Sequence, residues 1–548
     1  MKINHRKKGV AALLPTTAMS TEEKITPTTD PIPEAGAQTK PAKKAKDPEK
    51  KKRRRKRARR VLLAILCLII LFVGVTTVIT VVSIRAHIKE ARSFSPVEIP
   101  DRITPVQDED GNWTYTTDRE FKILQLTDVH IGGGWMCMKK DSLALNTVAA
   151  MVTAEKPDLV IITGDVSYPV PFQAGTFNNK SGARIFANLM DQLGVDWTLA
   201  FGNHDTEAYS YFDRGDLSEF YEGDEWEHCL FRSGPEGVDG SGNQIINIKN
   251  SAGYITQSLY LIDSHSYTDN DWLGIMWKYD NIHESQIEWY KENVEKMNLK
   301  NAQNAVARGE TVPADPVKSL AFFHIPPEEM RMAYNEFADN GFRNTDNVKF
   351  VYGFAGESKK VVYCGIHSDN FVETALDLGS TQGMFFGHDH YNNISFDYKR
   401  PGDTNSICLT YGMSVDYLAY PGILKNGAQR GCTVITVSPD GSFAYHQENY
   451  YQDKYTAQYD KEDVTMQDVP DYVTAVQPSD TPTAPAQGDV TPTADEPTAA
   501  VPAGEPAAED PAAEATTEPE APFKDTQPQA DTLAPVSDDV SIQEVPNG

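Results

Sequence analysis

Two stretches far apart in the sequence, residues 125–132 (QLTDVHIG) and 384–392 (MFFGHDHYN), constrain this chain more than any other feature. Each sets metal-binding side chain types directly after an apolar run of strand length. Asp128 and His130 stand two residues apart, so in an extended chain their side chains point the same way. His388 and His390 repeat that spacing, and Gly387 lets the backbone turn tightly before them. Both stretches read as loops leaving the carboxyl ends of strands, which is where an open α/β sheet places its site.

Between and around them the pattern alternates. Residues 121–126, 159–163 and 197–201 read as strands, and residues 142–155 and 181–193 read as helices. Residues 214–254 form an acidic, Gly-rich insertion of little periodicity that ends in a strand at 243–248. The alternation resumes with strand 258–264, helix 283–297, strand 319–324, helix 370–378 and strand 383–386. The closing strands are 393–398, 407–411, and 433–438 joined to 442–447 through Pro-Asp-Gly. A hairpin, 103–107 with 113–117 around Asp-Glu-Asp-Gly, precedes the whole. The expected fold class is α/β, a layered β-sheet sandwich flanked by helices with largely parallel strands, over residues 98–458.

Every core strand but 258–264 ends in a metal-ligand type. Asp165 follows the second, Asn203-His204-Asp205 the third, His324 the strand at 319–323, and His388 and His390 the last. Singly these are weak, since a Gly-Asp after a strand is usually a turn and an isolated histidine usually belongs to the core. Five in order, each at a strand end, are not explained that way.

The ordered set D-x-H, G-D, G-N-H-D, H and G-H-x-H resembles the calcineurin-like metallophosphoesterase family over residues 121–392. The stretches 322–326 (FFHIP), 285–289 (SQIEW) and 387–390 (GHDH) resemble its exported or membrane-linked, purple-acid-phosphatase-like members. The resemblance implies one metal held by Asp128, His130, Asp165 and His390, and a second held by Asp165, Asn203, His324 and His388, with Asp165 bridging. It implies two divalent or mixed-valence transition metal ions (Mn, Fe, Zn or Co) and a phosphate ester hydrolysed by attack of a metal-bridging hydroxide. His204 is then the catalytic acid or phosphate-oxygen stabiliser, with Asp205 expected to hold its ring. Gly164-Asp165-Val166-Ser167-Tyr168 also fits the G-D-x-x-Y pattern in which purple acid phosphatases bind iron through tyrosine. Here His130 already fills that coordination position, so Tyr168 is not expected as a ligand.

Charge divides the rest of the chain. Residues 1–60 carry about +13 of a total of −27, which leaves −40 for the remainder. Residues 50–60 are basic except for Ala58 and abut residues 61–84, a run of 24 residues without charge. A helix that long spans ~30 Å of hydrocarbon at ~1.5 Å per residue. The expected order is therefore a disordered basic cytoplasmic segment (1–60), a transmembrane helix (61–84), a stalk (85–97), the domain, and a disordered acidic Pro/Ala/Thr/Glu-rich tail (459–548). The basic block places the N-terminus in the cytoplasm and the domain outside, on a single-pass anchor in the cell membrane. The six cysteines have no C-x-x-C spacing; Cys67 lies in the apolar run, and the odd five elsewhere read as buried thiols rather than a disulfide framework. Arg214-Gly215-Asp216 matches an adhesive tripeptide, but chance explains it better.

The function these readings favour is a metal-dependent phosphoric ester hydrolase, monoesterase before diesterase. Expected partners are phosphorylated small molecules, proteins or envelope polymers, and the membrane through the single span. Nucleic acid is disfavoured by the acidic surroundings. The alternatives are a phosphodiesterase, a nucleotide or lipid pyrophosphate hydrolase, and a surface binding or adhesion module on the same fold.

Overall fold

A computed structural model describes residues 47–271, 274–357, 361–420, 430–456, 458–462, 464 and 469–475. Of the segments expected to be disordered, 1–60 and 459–548, residues 1–46, 463, 465–468 and 476–548 lie outside the described residues, whereas residues 48–60 are helical, the start of the helix that carries the apolar run. Two sheets face each other. The smaller has the order β14(Phe443–Asn449), β13(Gly431–Val437), β3(Phe121–Leu126), β4(Leu159–Thr163), β5(Trp197–Ala200). The larger runs β1(Val106–Gln107), β2(Trp113–Thr116), β6(Gln244–Lys249), β7(Ile255–Leu261), β8(Lys318–Phe322), β10(Thr381–Phe386), β12(Ile407–Tyr411), β11(Ser395–Tyr398), β9(Val348–Tyr352). The strands that lead to the site pair in parallel, β3 with β4, β4 with β5, and β8 with β10, so their carboxyl ends point to one edge.

The period of two along each strand builds the layers. In β3, Phe121 and Ile123 face the other sheet while Leu124 and Leu126 face outward; in β4, Leu159 and Ile161 alternate with Val160 and Ile162 in the same way. In β8 and β10, Leu320, Phe322 and Phe385 meet them across the interior. The outer face of the smaller sheet is covered by α2(Met138–Glu155) and α3(Asn179–Leu193). The outer face of the larger is covered by α5(Glu284–Arg308), α6(Glu328–Asp339) and α7(Phe371–Leu378). The result is the helix, sheet, sheet, helix sandwich expected from the alternation.

Four local expectations need correction. The insertion opens with a helix, α4(Arg214–Tyr221), started by a capping box in which Asp213 and Asp216 each accept the other's backbone N–H, at 2.9 and 3.1 Å. Helix α5 runs eleven residues past Met297 because Asn301 bonds both the N–H and the carbonyl of Ile255 at 2.8 Å, a polar anchor that apolar periodicity does not reveal. Residues 85–97 are not a stalk. The first helix, α1(Pro48–Ala91), continues into them as far as Ala91, and Ala91, Phe94 and Val97 are buried among residues of α2 and α3. Nor does the folded part stop at residue 458: Tyr472, in the short α8(Asp471–Thr474), is buried against the ring of Phe337.

Candidate metal centre

Asp128, His130, Asp165 and His388 all adopt left-handed backbone conformations, with φ of 51°, 54°, 56° and 79°. Such a conformation costs of order 1–3 kcal/mol at a non-glycine residue and persists only where the surroundings impose it. Here it turns each side chain off the end of its strand into one cavity. Gly202 must be glycine for a related reason, because a Cβ there would lie inside the Asp165 carboxylate.

All seven side chains expected as ligands meet. Ligand atoms of Asp128, His130, Asp165 and His390 lie within 4.8 Å of one another, and all four residues are buried. His390 Nε2 is 3.0 Å from Asp128 Oδ1, and His130 Nε2 is 3.3 Å from Asp165 Oδ2. On the other side of Asp165, His324 Nε2 lies 3.2 Å from Asp165 Oδ2, 3.2 Å from Asn203 Oδ1 and 3.3 Å from His388 Nδ1. One carboxylate oxygen of Asp165 thus borders both groups.

These contacts fit cations better than they fit each other. His324 Nδ1 donates to the Thr163 carbonyl at 2.8 Å, which leaves Nε2 as a lone pair aimed at the oxygens of Asn203 and Asp165. Asn203 Nδ2 donates to the Tyr267 hydroxyl at 3.0 Å, so its Oδ1 is the atom turned inward. Asp165 Oδ2, Asn203 Oδ1 and His324 Nε2 converge as acceptors, with no donor among the three unless the His324 ring takes up a proton. Burial opposes that proton, yet Asp165 lifts the pKa of His324 to about 9. The site demands positive charge.

His204 sits at the edge of this cluster, its ring centroid 5.5 Å from that of His130, and its backbone N–H donates to Asp165 Oδ1 at 2.8 Å. Asp205 does not hold its ring. The Asp205 carboxylate is buried and accepts the backbone N–H groups of Asp165, Ser167 and Gly202 at 3.0, 2.8 and 2.9 Å, tying two of the site loops together. Burial and the neighbouring Asp165 push its pKa up to about 6. The ring partner is Glu207, whose Oε1 lies 2.7 Å from His204 Nδ1. Geometry decides this: the residue after His204 points back under the loop, while the one three positions on comes alongside.

Asp416 escaped the sequence reading. Its Oδ1 is 3.2 Å from His130 Nδ1, its Oδ2 is 3.9 Å from His390 Nδ1, and the backbone N–H groups of Leu418 and Ala419 hold it at 2.7 and 2.8 Å. Both of its histidines belong to the same group of four. Tyr168 packs its ring 4.9 Å from that of His130 but donates its hydroxyl to Gln173 at 2.9 Å, along the rim. Arg214 of the adhesive tripeptide pairs with the buried Asp263 and donates to Ser266 Oγ at 2.7 Å, so the tripeptide is structural.

The profile of the calcineurin-like phosphoesterase family matches residues 121–392, the span from β3 through the last pair of site histidines. The chain belongs to that family. Among its relatives, "Probable inactive purple acid phosphatase 14" of Arabidopsis thaliana is 26% identical over 56% of this chain and 73% of its own length. "Probable inactive purple acid phosphatase 29" of the same plant is 28% identical over 59% of this chain and 78% of its own length. "Phosphatase DCR2" of Saccharomyces cerevisiae is 30% identical over 54% of this chain and 48% of its own length. In this calcineurin-like phosphoesterase the buried group Asp128, His130, Asp165 and His390 could hold a metal ion, and α1 is long and apolar enough to cross a membrane.

Proposed function

We propose that the chain is a membrane-anchored, extracytoplasmic phosphoric ester hydrolase that works with two transition metal ions and prefers phosphomonoesters. The observation that carries this reading is the convergence of acceptor atoms from five strand ends on the two sides of Asp165. Asp128, His130, Asp165 and His390 would hold one ion, and Asp165, Asn203, His324 and His388 the other. A pair of such ions lowers the pKa of bound water and neutralises phosphoryl oxygens. Tyr267 fixes the Asn203 amide so that its oxygen faces inward. Glu207 binds Nδ1 of His204, which leaves Nε2 to meet a phosphate oxygen or hand a proton to the leaving group. Asp205 keeps the loops that carry Asp165 and Asn203 in register.

Orientation follows from charge. The basic residues at 50–60 precede the apolar part of α1, which favours an N-terminus in the cytoplasm and a domain outside it. The names of the two plant relatives describe those proteins as inactive, which makes a direct assay the deciding test. Full-length protein loaded with Mn, Fe, Zn or Co in turn should hydrolyse p-nitrophenyl phosphate faster than its bis ester. Asp165→Asn should abolish both activities and the bound metal together. A metal-replete protein inert toward both esters would favour the binding-module reading.

A further inference from the structure

We propose that the cleft opens at the membrane surface and takes its phosphate esters from lipid, with the rim around Met136 and Phe172 resting in the interfacial layer. This rests on the membrane-anchored phosphoesterase reading and adds the substrate class. The first observation is where α1 meets the domain. Ser83 Oγ donates to the carbonyl of Gly134 at 3.0 Å, while the adjacent Val81 and Val82 remain apolar and 42% and 59% exposed. The domain therefore touches the helix before its apolar surface ends. From Val61 to Ser83 a helix rises ~33 Å at ~1.5 Å per residue, close to the ~30 Å of hydrocarbon it would cross.

No spacer separates the two. One turn further on, His87 Nε2 lies 2.9 Å from the carbonyl oxygen of Met138, then Ser142 Oγ donates to Glu90 at 2.8 Å and Arg92 to Asn188 at 2.7 Å. Arg85 and Lys89 are exposed on the same turns, at the height of lipid headgroups. The loop from Gly134 to Met138 is thereby fixed at the edge of the bilayer.

The second observation is what that edge exposes. Met136 is 49% exposed and Met138 40%, and Phe172, at 87%, is the most exposed large apolar side chain among the described residues. Met136 N–H donates to the Ala174 carbonyl at 3.1 Å, so the loop carrying Phe172 belongs to the same rim. Exposed apolar tips flanked by basic residues are the composition of a surface that enters an interface.

The third observation ties this rim to the site. The loop starts four residues after His130. Gln173, next to Phe172, accepts the hydroxyl of Tyr168, whose ring lies 4.9 Å from those of both His130 and His204. On the His388 side of the site a second exposed apolar tip, Ile275 to Trp277, precedes Tyr279, whose ring is 4.3 Å from that of His388. A phosphate carried on a lipid would reach the metal centre past the Met136 and Phe172 rim that its own bilayer covers.

The test uses the full-length chain in nanodiscs of phosphatidylcholine with phosphatidic acid, in a Cys67→Ala background, since the other five cysteines are buried. Nitroxide labels on Met136→Cys and Phe172→Cys should collide with oxygen several-fold more often, relative to a nickel chelate, than a label on Val306→Cys of α5. Equal ratios at all three positions overturn the placement. In the second arm, Met136→Asp with Phe172→Asp should cut hydrolysis of phosphatidic acid at least tenfold and leave p-nitrophenyl phosphate within twofold. Parallel loss on both substrates, or loss on neither, overturns the lipid assignment. A wild type inert toward both sinks the hydrolase reading and the lipid assignment with it, while the label ratios still decide where the rim lies.

Discussion

The Nδ1 atom of His204 lies 2.7 Å from Oε1 of Glu207, and the carboxylate of Asp205, its immediate neighbour, is spent on three backbone N–H groups. The two acids therefore do different work. Glu207→Gln keeps an acceptor beside the ring but removes the charge that stabilises an imidazolium. It should lower kcat about 10- to 100-fold with metal content unchanged. Asp205→Asn puts an NH₂ group against backbone donors, and should cost about 2–3 kcal/mol of stability and loosen metal binding. Melting temperature, metal analysis and kcat at saturating metal separate these outcomes; identical profiles for the two variants would refute the division.

Asp416 Oδ1 lies within ion-pair range of His130 Nδ1, at 3.2 Å, and its Oδ2 stands farther from His390 Nδ1, at 3.9 Å; both rings face the Asp128 side of the cluster. A carboxylate behind a ligand imidazole fixes its tautomer and raises its basicity, and losing one typically costs 10- to 100-fold in metal affinity. Asp416→Asn should therefore weaken one ion of the pair by that factor and leave the other nearly untouched. Chelator competition read by metal analysis would show one ion per chain lost early. Loss of both ions in step would contradict a brace confined to one side.

The seven ligand-type residues were legible because strand ends in a parallel sheet are fixed by short-range patterns, apolar run followed by Asp, Asn or His. Asp416 obeys the same rule at longer reach, five residues past the end of β12, where the signal is diluted by the intervening Gly-Met-Ser-Val. Glu207 was hidden by a different ambiguity: two acids follow His204, and only the course of the loop says which comes alongside the ring. The stalk reading failed because a docked helix and a free one share the same composition. What distinguishes them is the buried stripe Ser83, His87 and Ala91, spaced four apart and too polar to read as a core face.

Tyr472 lies beyond the strand pairs that define the domain, yet its ring stacks on Phe342 at 4.8 Å and meets the edges of Phe337 and Phe350 at 5.5 and 5.7 Å. An aromatic in such a cluster contributes through buried area and ring geometry together. Tyr472→Ala should cost about 2–4 kcal/mol. Truncation after residue 458 should cost at least as much, whereas truncation after residue 475 should cost little. Chemical denaturation of the three forms in one detergent checks the order.

Glu329 stands in the first turn of α6, where burial, with Asp369, Glu328 and Glu373 nearby, pushes its pKa from 4.5 up to about 7. A carboxyl raised in the folded state binds more protons there than in the unfolded chain between those two values, so its contribution to stability falls as pH rises from about 4.5 to 7. Glu329→Gln removes the ionisation. It should stabilise the protein at pH 8 by about 1 kcal/mol, the shift being discounted for the residue's partial exposure, and change little at pH 4.5. Melting temperatures of wild type and variant, metal-free and in the same detergent, should diverge with rising pH. A constant difference across that range would mean that Glu329 stays ionised in the fold, held by the N-terminal dipole of α6 against the cost of burial.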